Sequence, residues 1–150
     1  MKATSVAKCI PFVLSAALLC TALGAAAQAP TVDITPGDVA YRDTSTPGVK
    51  MAILQGKLLD PGLYILRVKI ANDAKLMPHT HPDVRYTTVL SGDMSFGFGD
   101  TFDVASMKVY SPGAIIAIPA NTSHYVWARN GEVIVQDTGS GPTGTTPLKK

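Results

Sequence analysis

Four Pro-Gly pairs, at Pro36-Gly37, Pro47-Gly48, Pro61-Gly62 and Pro112-Gly113, each lie between short segments rich in Val, Ile, Leu or Tyr. Proline presets the first turn angle and glycine takes the positive one, so the chain is repeatedly turned back before a helix can grow. Between the turns the apolar residues recur with a period of two. Tyr64, Leu66, Val68 and Ile70 alternate with Arg67 and Lys69, and Met94, Phe96 and Phe98 alternate with Ser95, Gly97 and Gly99. The pattern predicts strands near 49–55, 63–70, 75–81, 85–90, 93–98, 108–110, 114–118, 124–128 and 132–137. One helical turn is expected around Phe102 to Met107, capped by Asp100 or Thr101. Many short strands with little helix argue for an all-β antiparallel sandwich or barrel.

The chain's three histidines, His79, His81 and His124, fall in two of these segments. Histidines at i and i+2 on an extended strand point to the same face, the spacing that lets two imidazoles reach one cation. Pro78 and Pro82 bracket the pair and restrict its backbone. A third ring, His124, would have to arrive from a neighbouring strand. Three neutral imidazoles suit a divalent metal such as Zn, Fe, Mn, Ni or Cu, with positions left for water or substrate.

Around these residues the sequence resembles the cupin superfamily. The family's first motif is a glycine, five residues, His-x-His, three or four residues, Glu, six residues and a glycine. Its second is Gly-x5-Pro-x-Gly-x2-His-x3-Asn. His79, His81 and Gly92 fit the first, and Gly113, Pro119 and His124 fit the second, over roughly Val49 to Val135. The resemblance implies a double-stranded β-helix, the cupin or jelly-roll barrel, one divalent metal held by His79, His81 and His124, and a small-molecule ligand. It also implies, together with outward aromatics on the His124 strand, a homodimer.

Asp73 stands for the glycine before His79, Asn121 for the glycine after Pro119 and Ala128 for the final asparagine. Asparagine tolerates the left-handed backbone that glycine would supply. Arg85 stands where the family has its glutamate ligand, placing a permanent positive charge where a negative one is expected. Three readings of Arg85 stay open: an outward salt bridge with Asp83 or another acid, a pocket guanidinium that clamps a substrate carboxylate or phosphate, or a site without metal. Asp83 and Gln136 are alternative oxygen ligands. Tyr86 and Phe96 join Arg85 as candidate substrate contacts, and Met94 and Phe98 as candidate pocket walls. Tyr125 and Trp127 have the opposite parity to His124, so they face outward if it faces in.

The N-terminus carries Lys2 and Lys8, an apolar run from Ile10 to Leu23, and then Gly24 followed by small residues. This is the pattern of a secretory signal peptide over residues 1–27, cut after Ala27, and it implies a secreted or periplasmic protein without a membrane anchor after cleavage. Cys9 and Cys20 are the only cysteines and both fall in that segment, leaving no thiolate ligand. Loss of Lys2 and Lys8 brings the 13 basic residues level with the 11 acidic ones. Without a basic patch interleaved with aromatics, nucleic acid is not an expected partner. The remainder suits one domain, divided into an N-terminal extension or edge strand at 28–48, a barrel at 49–138, and a Gly- and Thr-rich tail at 139–150 expected to fray.

These readings point to an exported single-domain metal cupin acting on a small organic substrate by dioxygenase, isomerase or decarboxylase chemistry. The alternative is a non-catalytic binding module with Arg85 as its anion contact.

Overall fold

A computed structural model describes residues 31–148; the segment 1–27, expected to be a signal peptide, lies outside them. The strands are β1 (Arg42–Asp43), β2 (Val49–Gln55), β3 (Gly62–Ile70), β4 (Lys75–Thr80), β5 (Arg85–Ser91), β6 (Met94–Phe98), β7 (Lys108–Tyr110), β8 (Ile115–Ile118), β9 (His124–Trp127), β10 (Val133–Gly141) and β11 (Thr146–Pro147). They form two antiparallel sheets, one in the order β1-β2-β3-β10-β5-β8 and the other β11-β4-β9-β6-β7. The architecture is the all-β double-stranded β-helix. Helical structure among the described residues is confined to two 3-10 turns, Pro36–Asp38 and Val104–Ser106. The second falls inside the expected 102–107 turn, but Asp103 caps it, accepting from the Ala105 amide at 2.9 Å.

Alternation decides which side chains enter the space between the sheets. On β3, Tyr64, Leu66 and Ile70 are buried while Leu63 is exposed. Val49, Val89, Val133 and Val135 from the first sheet meet Met94, Phe96 and Val126 from the second in one apolar cluster. Burial of these side chains is the main stabilising term, each worth about 1.5–3 kcal/mol relative to an exposed position. Tyr125 and Trp127 point away from this space, and the chain's own 102–107 segment covers them. Phe102 lies against both rings, with centroids 5.2 and 6.3 Å away, and the Tyr125 hydroxyl donates to the Asp103 carbonyl at 3.1 Å. The outward aromatics therefore have an intramolecular partner.

The motif glycine positions share one backbone requirement. Gly92 and Gly113 have φ of 73° and 92°, and the residues that replace the other two glycines, Asp73 and Asn121, have φ of 64° and 57°. Asp and Asn are the non-glycine types that enter this region most readily. At Gly92 crowding adds to the angle, because a Cβ would stand 2.2 Å from the Glu132 carbonyl oxygen.

The C-terminal segment departs from the fraying tail expected from Gly139. β10 continues to Gly141 alongside β3, and β11 pairs with β4 through Thr146 opposite Thr80 and Pro147 opposite His79. Thr143 is buried. The order comes from hydrogen bonding to the barrel rather than from apolar alternation, so composition alone pointed the wrong way. In the N-terminal extension β1, Arg42–Asp43, pairs with Met51 and Lys50 of β2.

Candidate metal centre

β4 pairs with β9 so that His79 lies directly opposite His124. His81 follows two residues after His79, just past the end of β4. The ring centroids of His79 and His124 are 4.3 Å apart, and those of His81 lie 4.9 and 5.1 Å from them. One ring nitrogen from each residue falls within 4.8 Å of the others, and all three residues are buried. The three histidines picked from sequence are thus brought together in one cluster.

Each ring is held by its other nitrogen. Nδ1 of His79 lies 2.7 Å from the Met77 carbonyl, Nδ1 of His81 2.7 Å from the Gly144 carbonyl, and Nδ1 of His124 2.9 Å from the Thr122 carbonyl. A carbonyl only accepts, so each Nδ1 carries the proton and donates it, and each Nε2 keeps its lone pair. Phe96 stacks on the His124 ring at 5.5 Å and 22°. Burial disfavours the imidazolium in all three. It takes His81 down to about 3, with the Arg85 charge as the next cause, and His124 down to about 4, with His79 next; His79 is lowered chiefly by burial as well. Three neutral, pre-oriented nitrogen donors fit a divalent transition metal, which needs deprotonated imidazoles fixed from behind by hydrogen-bond acceptors.

Arg85 is only 6 % exposed, which rules out the outward salt bridge. It does pair with Asp83, but inside the barrel: Nη2 lies 3.4 Å from Asp83 Oδ1 and Nη1 3.4 Å from Asp137 Oδ2. Nη2 also donates to the Thr143 hydroxyl at 2.7 Å, while Nε is buried without a partner among the described residues. Asp83 in turn accepts from the Tyr64 hydroxyl at 2.5 Å and from the Thr143 hydroxyl. Asp137 accepts from Thr87 at 2.6 Å. Burial alone would raise Asp83, but the Thr143 and Tyr64 hydrogen bonds and the Arg85 charge bring it below the usual carboxylate range. Asp137, more deeply buried, is raised by desolvation in spite of Arg85. Burial and the bond to Asp83 push Tyr64 up to about 12.

A cavity of about 470 Å³ opens beside the three imidazoles. Apolar side chains such as Leu66, Ile70, Met94 and Phe96 line most of it, and its polar lining includes Arg85, Asp137 and Thr143 together with Thr44, Thr87 and Lys75. Of the candidate substrate contacts, Arg85 and Phe96 reach this cavity. Tyr86 does not: it is 53 % exposed, because its neighbour Arg85 faces inward and strand parity turns the next side chain out. Phe98, 48 % exposed at the end of β6, is also outside the lining. Gln136 has the parity opposite to the buried Val135 and Asp137 on β10 and accepts from Arg67 at 3.3 Å, and Asp83 does not belong to the histidine cluster. Asp137 and Thr143 are the site residues missed in the sequence. Asp137 keeps inward parity with Val133 and Val135 on β10, a signal that was available; nothing comparable marked Thr143.

The protein-family model described as cupin matches residues 54–146. Solved structures with a similar fold include KdgF from Halomonas sp., 21 % identical, with 77 % of this chain and 93 % of that one covered and a TM-score of 0.58. The polyketide cyclase RemF from Streptomyces resistomycificus is 15 % identical over 81 % of this chain and 87 % of its own, with a TM-score of 0.66. The DMSP lyase DddQ from Ruegeria pomeroyi DSS-3 is 14 % identical over 76 % and 64 %, with a TM-score of 0.61. Identities this low carry the fold and nothing finer. No curated protein matches the sequence.

Two predictions follow from the electrostatics. The histidine pKa values are depressed in the folded chain, so between the unfolded value near 6.5 and the folded values of about 4 for His124 and about 3 for His81 the unfolded chain binds more protons. The histidines therefore make the metal-free protein less stable as pH falls through that window. An NMR titration should find these two rings still neutral at about pH 5.5; midpoints near 6.5 would contradict the burial argument. Separately, Arg85→Met leaves two buried carboxylates without their cation and should cost about 3–5 kcal/mol in urea unfolding. An unchanged midpoint would show that the cluster is not held by its charge.

Proposed function

The chain belongs to the cupin family, and from that premise we propose that it is a metal-dependent cupin enzyme that binds one divalent transition metal through His79, His81 and His124 and acts on a small organic substrate in the adjoining cavity. The observation that carries this reading is the common use of Nδ1. All three rings spend that nitrogen on a carbonyl, at 2.7, 2.7 and 2.9 Å, so Nε2 is the nitrogen each keeps free for a metal, in three residues whose ligand atoms lie within 4.8 Å of one another. When bound, the metal would supply Lewis-acid or redox chemistry of the dioxygenase, isomerase or decarboxylase kind. The protein's own part is orientation and exclusion of water. A cavity of about 470 Å³ is of the size that encloses small ligands, and its apolar walls keep the substrate dry against the imidazoles. Asp137 is the only carboxyl among the described residues lining it, and burial holds its proton more tightly than a surface aspartate would, so it is the group suited to hold a proton beside a bound substrate.

The alternative of a passive anion-binding module relies on Arg85 as a free cation. Against it stands the pairing of Arg85 with both Asp83 and Asp137, which leaves little of the Arg85 charge for a ligand to claim.

Elemental analysis after reconstitution tests the reading. It should find about one equivalent of metal per chain, with His79→Ala, His81→Ala and His124→Ala each losing it, because a three-nitrogen site has no spare donor. Metal far below one equivalent in the parent protein, or retained in all three variants, would refute it. We also propose export through the N-terminal segment, so the secreted or periplasmic form should begin at Gln28 by N-terminal sequencing; a cytoplasmic chain retaining Met1 would count against it.

A further inference from the structure

The three imidazoles are not held in the same way. His79 and His124 each donate Nδ1–H to a carbonyl two residues back in their own segment, Met77 and Thr122. His81 reaches instead to Gly144, 63 positions along the chain, at 2.7 Å, and the Thr145 hydroxyl stands 3.5 Å from the same nitrogen. Its orientation thus depends on a segment that is remote in sequence and polar in composition.

That segment is a strap with two anchors. At one end the Thr143 amide donates to the Leu58 carbonyl at 2.6 Å, and its buried hydroxyl accepts from Arg85 Nη2 at 2.7 Å and donates to Asp83. At the other, β11 pairs with β4 and the Leu148 amide donates to the Pro78 carbonyl at 3.0 Å. Between them Gly144 has open space where a Cβ would be, so packing does not fix it; the anchors must. Thr143, Gly144, Thr145 and Pro147 also form part of the cavity wall.

We infer that Thr143 is a positioning residue of the metal centre: by fastening the strap to the Asp83–Arg85 pair, it holds the Gly144 carbonyl where it fixes the tautomer and ring orientation of His81. The replacement of the family's glutamate ligand by Arg85 then has a structural use, because the guanidinium that takes that position is the group to which the strap is tied. The inference rests on the metal-binding reading, but its local part, the coupling of Thr143 to His81, exists without metal.

The test compares Thr143→Val, which keeps the shape and removes the hydroxyl, with Thr143→Ser, which keeps the hydroxyl. In the metal-free protein, exchange of the His81 Nδ1 proton with solvent is followed by NMR, with the Nδ1 protons of His79 and His124 as internal references. T143V should speed exchange at His81 roughly tenfold, the effect of losing about one hydrogen bond's worth of local stability, and leave the other two unchanged. Zinc affinity, measured by competition with a chelator, should fall about 10–100-fold, as for loss of an outer partner of a metal-binding histidine. T143S should restore both. Where T143V does not fold, Thr146→Pro loosens the strap at its exposed end and should give the same His81-selective exchange. Unchanged exchange at His81, equal acceleration at all three histidines, or failure of T143S to restore it would overturn the inference. If the parent protein takes up neither zinc nor any other divalent transition metal, the metal reading fails, while the exchange measurement still decides the role of Thr143.

Discussion

The pairing of β4 with β9 is the constraint on which the site depends. It sets His79 opposite His124, and the register shift between Leu76 and His79 brings those two residues into line. The period of two then carries His81 to the same side. On the other edge of β9, Phe98 pairs with His124, and Phe96 two residues earlier stacks on its ring. Three rings are thereby confined by backbone geometry before any ion is considered. The carbonyls behind them finish the arrangement by choosing the tautomer. Such preorganisation matters because a metal then pays little ordering entropy to draw the donors together.

Charge balance shapes the rest of the interior. Arg85 stands where the motif resemblance expects a carboxylate, and its positive charge is one of the causes that keep His79, His81 and His124 neutral. Left unpaired, a buried guanidinium would be costly; here Asp83 and Asp137 flank it, and Thr143, Thr87 and Tyr64 satisfy the carboxylates. The pair Asp83 and Asp137 shows how depth separates like groups: hydrogen bonds and Arg85 hold the first low, while desolvation holds the second high. The result is a cavity with a neutral nitrogen face, a charge-compensated Arg85–Asp137 wall and a mostly apolar remainder that also takes in Lys75 and several threonines.

Most of this fold was readable from the chain because its strands are half-buried and alternate. The nine strands read from pattern correspond to β2 to β10, with ends displaced by at most one residue except on β10, where Asp137 to Gly141 carries no apolar alternation. The histidine cluster was readable for the same reason, together with the motif spacing. Tyr86 was misassigned although the parity rule used for Tyr125 and Trp127 applies to it equally, given an inward Arg85. The partners of Arg85 were harder: parity turns Asp137 inward, but its place beside Arg85 comes from the β10–β5 register, which sets it opposite Thr87, and no local pattern states that register. The strap was invisible because its order is made by hydrogen bonds to Leu58, Pro78, Asp83 and Arg85, and a Gly- and Thr-rich sequence carries no trace of them.

X-ray absorption at the metal edge of the reconstituted protein tests the central claim most directly, since it counts the imidazoles around the ion. Three imidazole nitrogens at about 2.0–2.1 Å, completed by light oxygen or nitrogen ligands, is the result this account predicts. A coordination shell with one imidazole or none would mean that His79, His81 and His124 do not converge on a common ion, and the proposed centre would have to be abandoned.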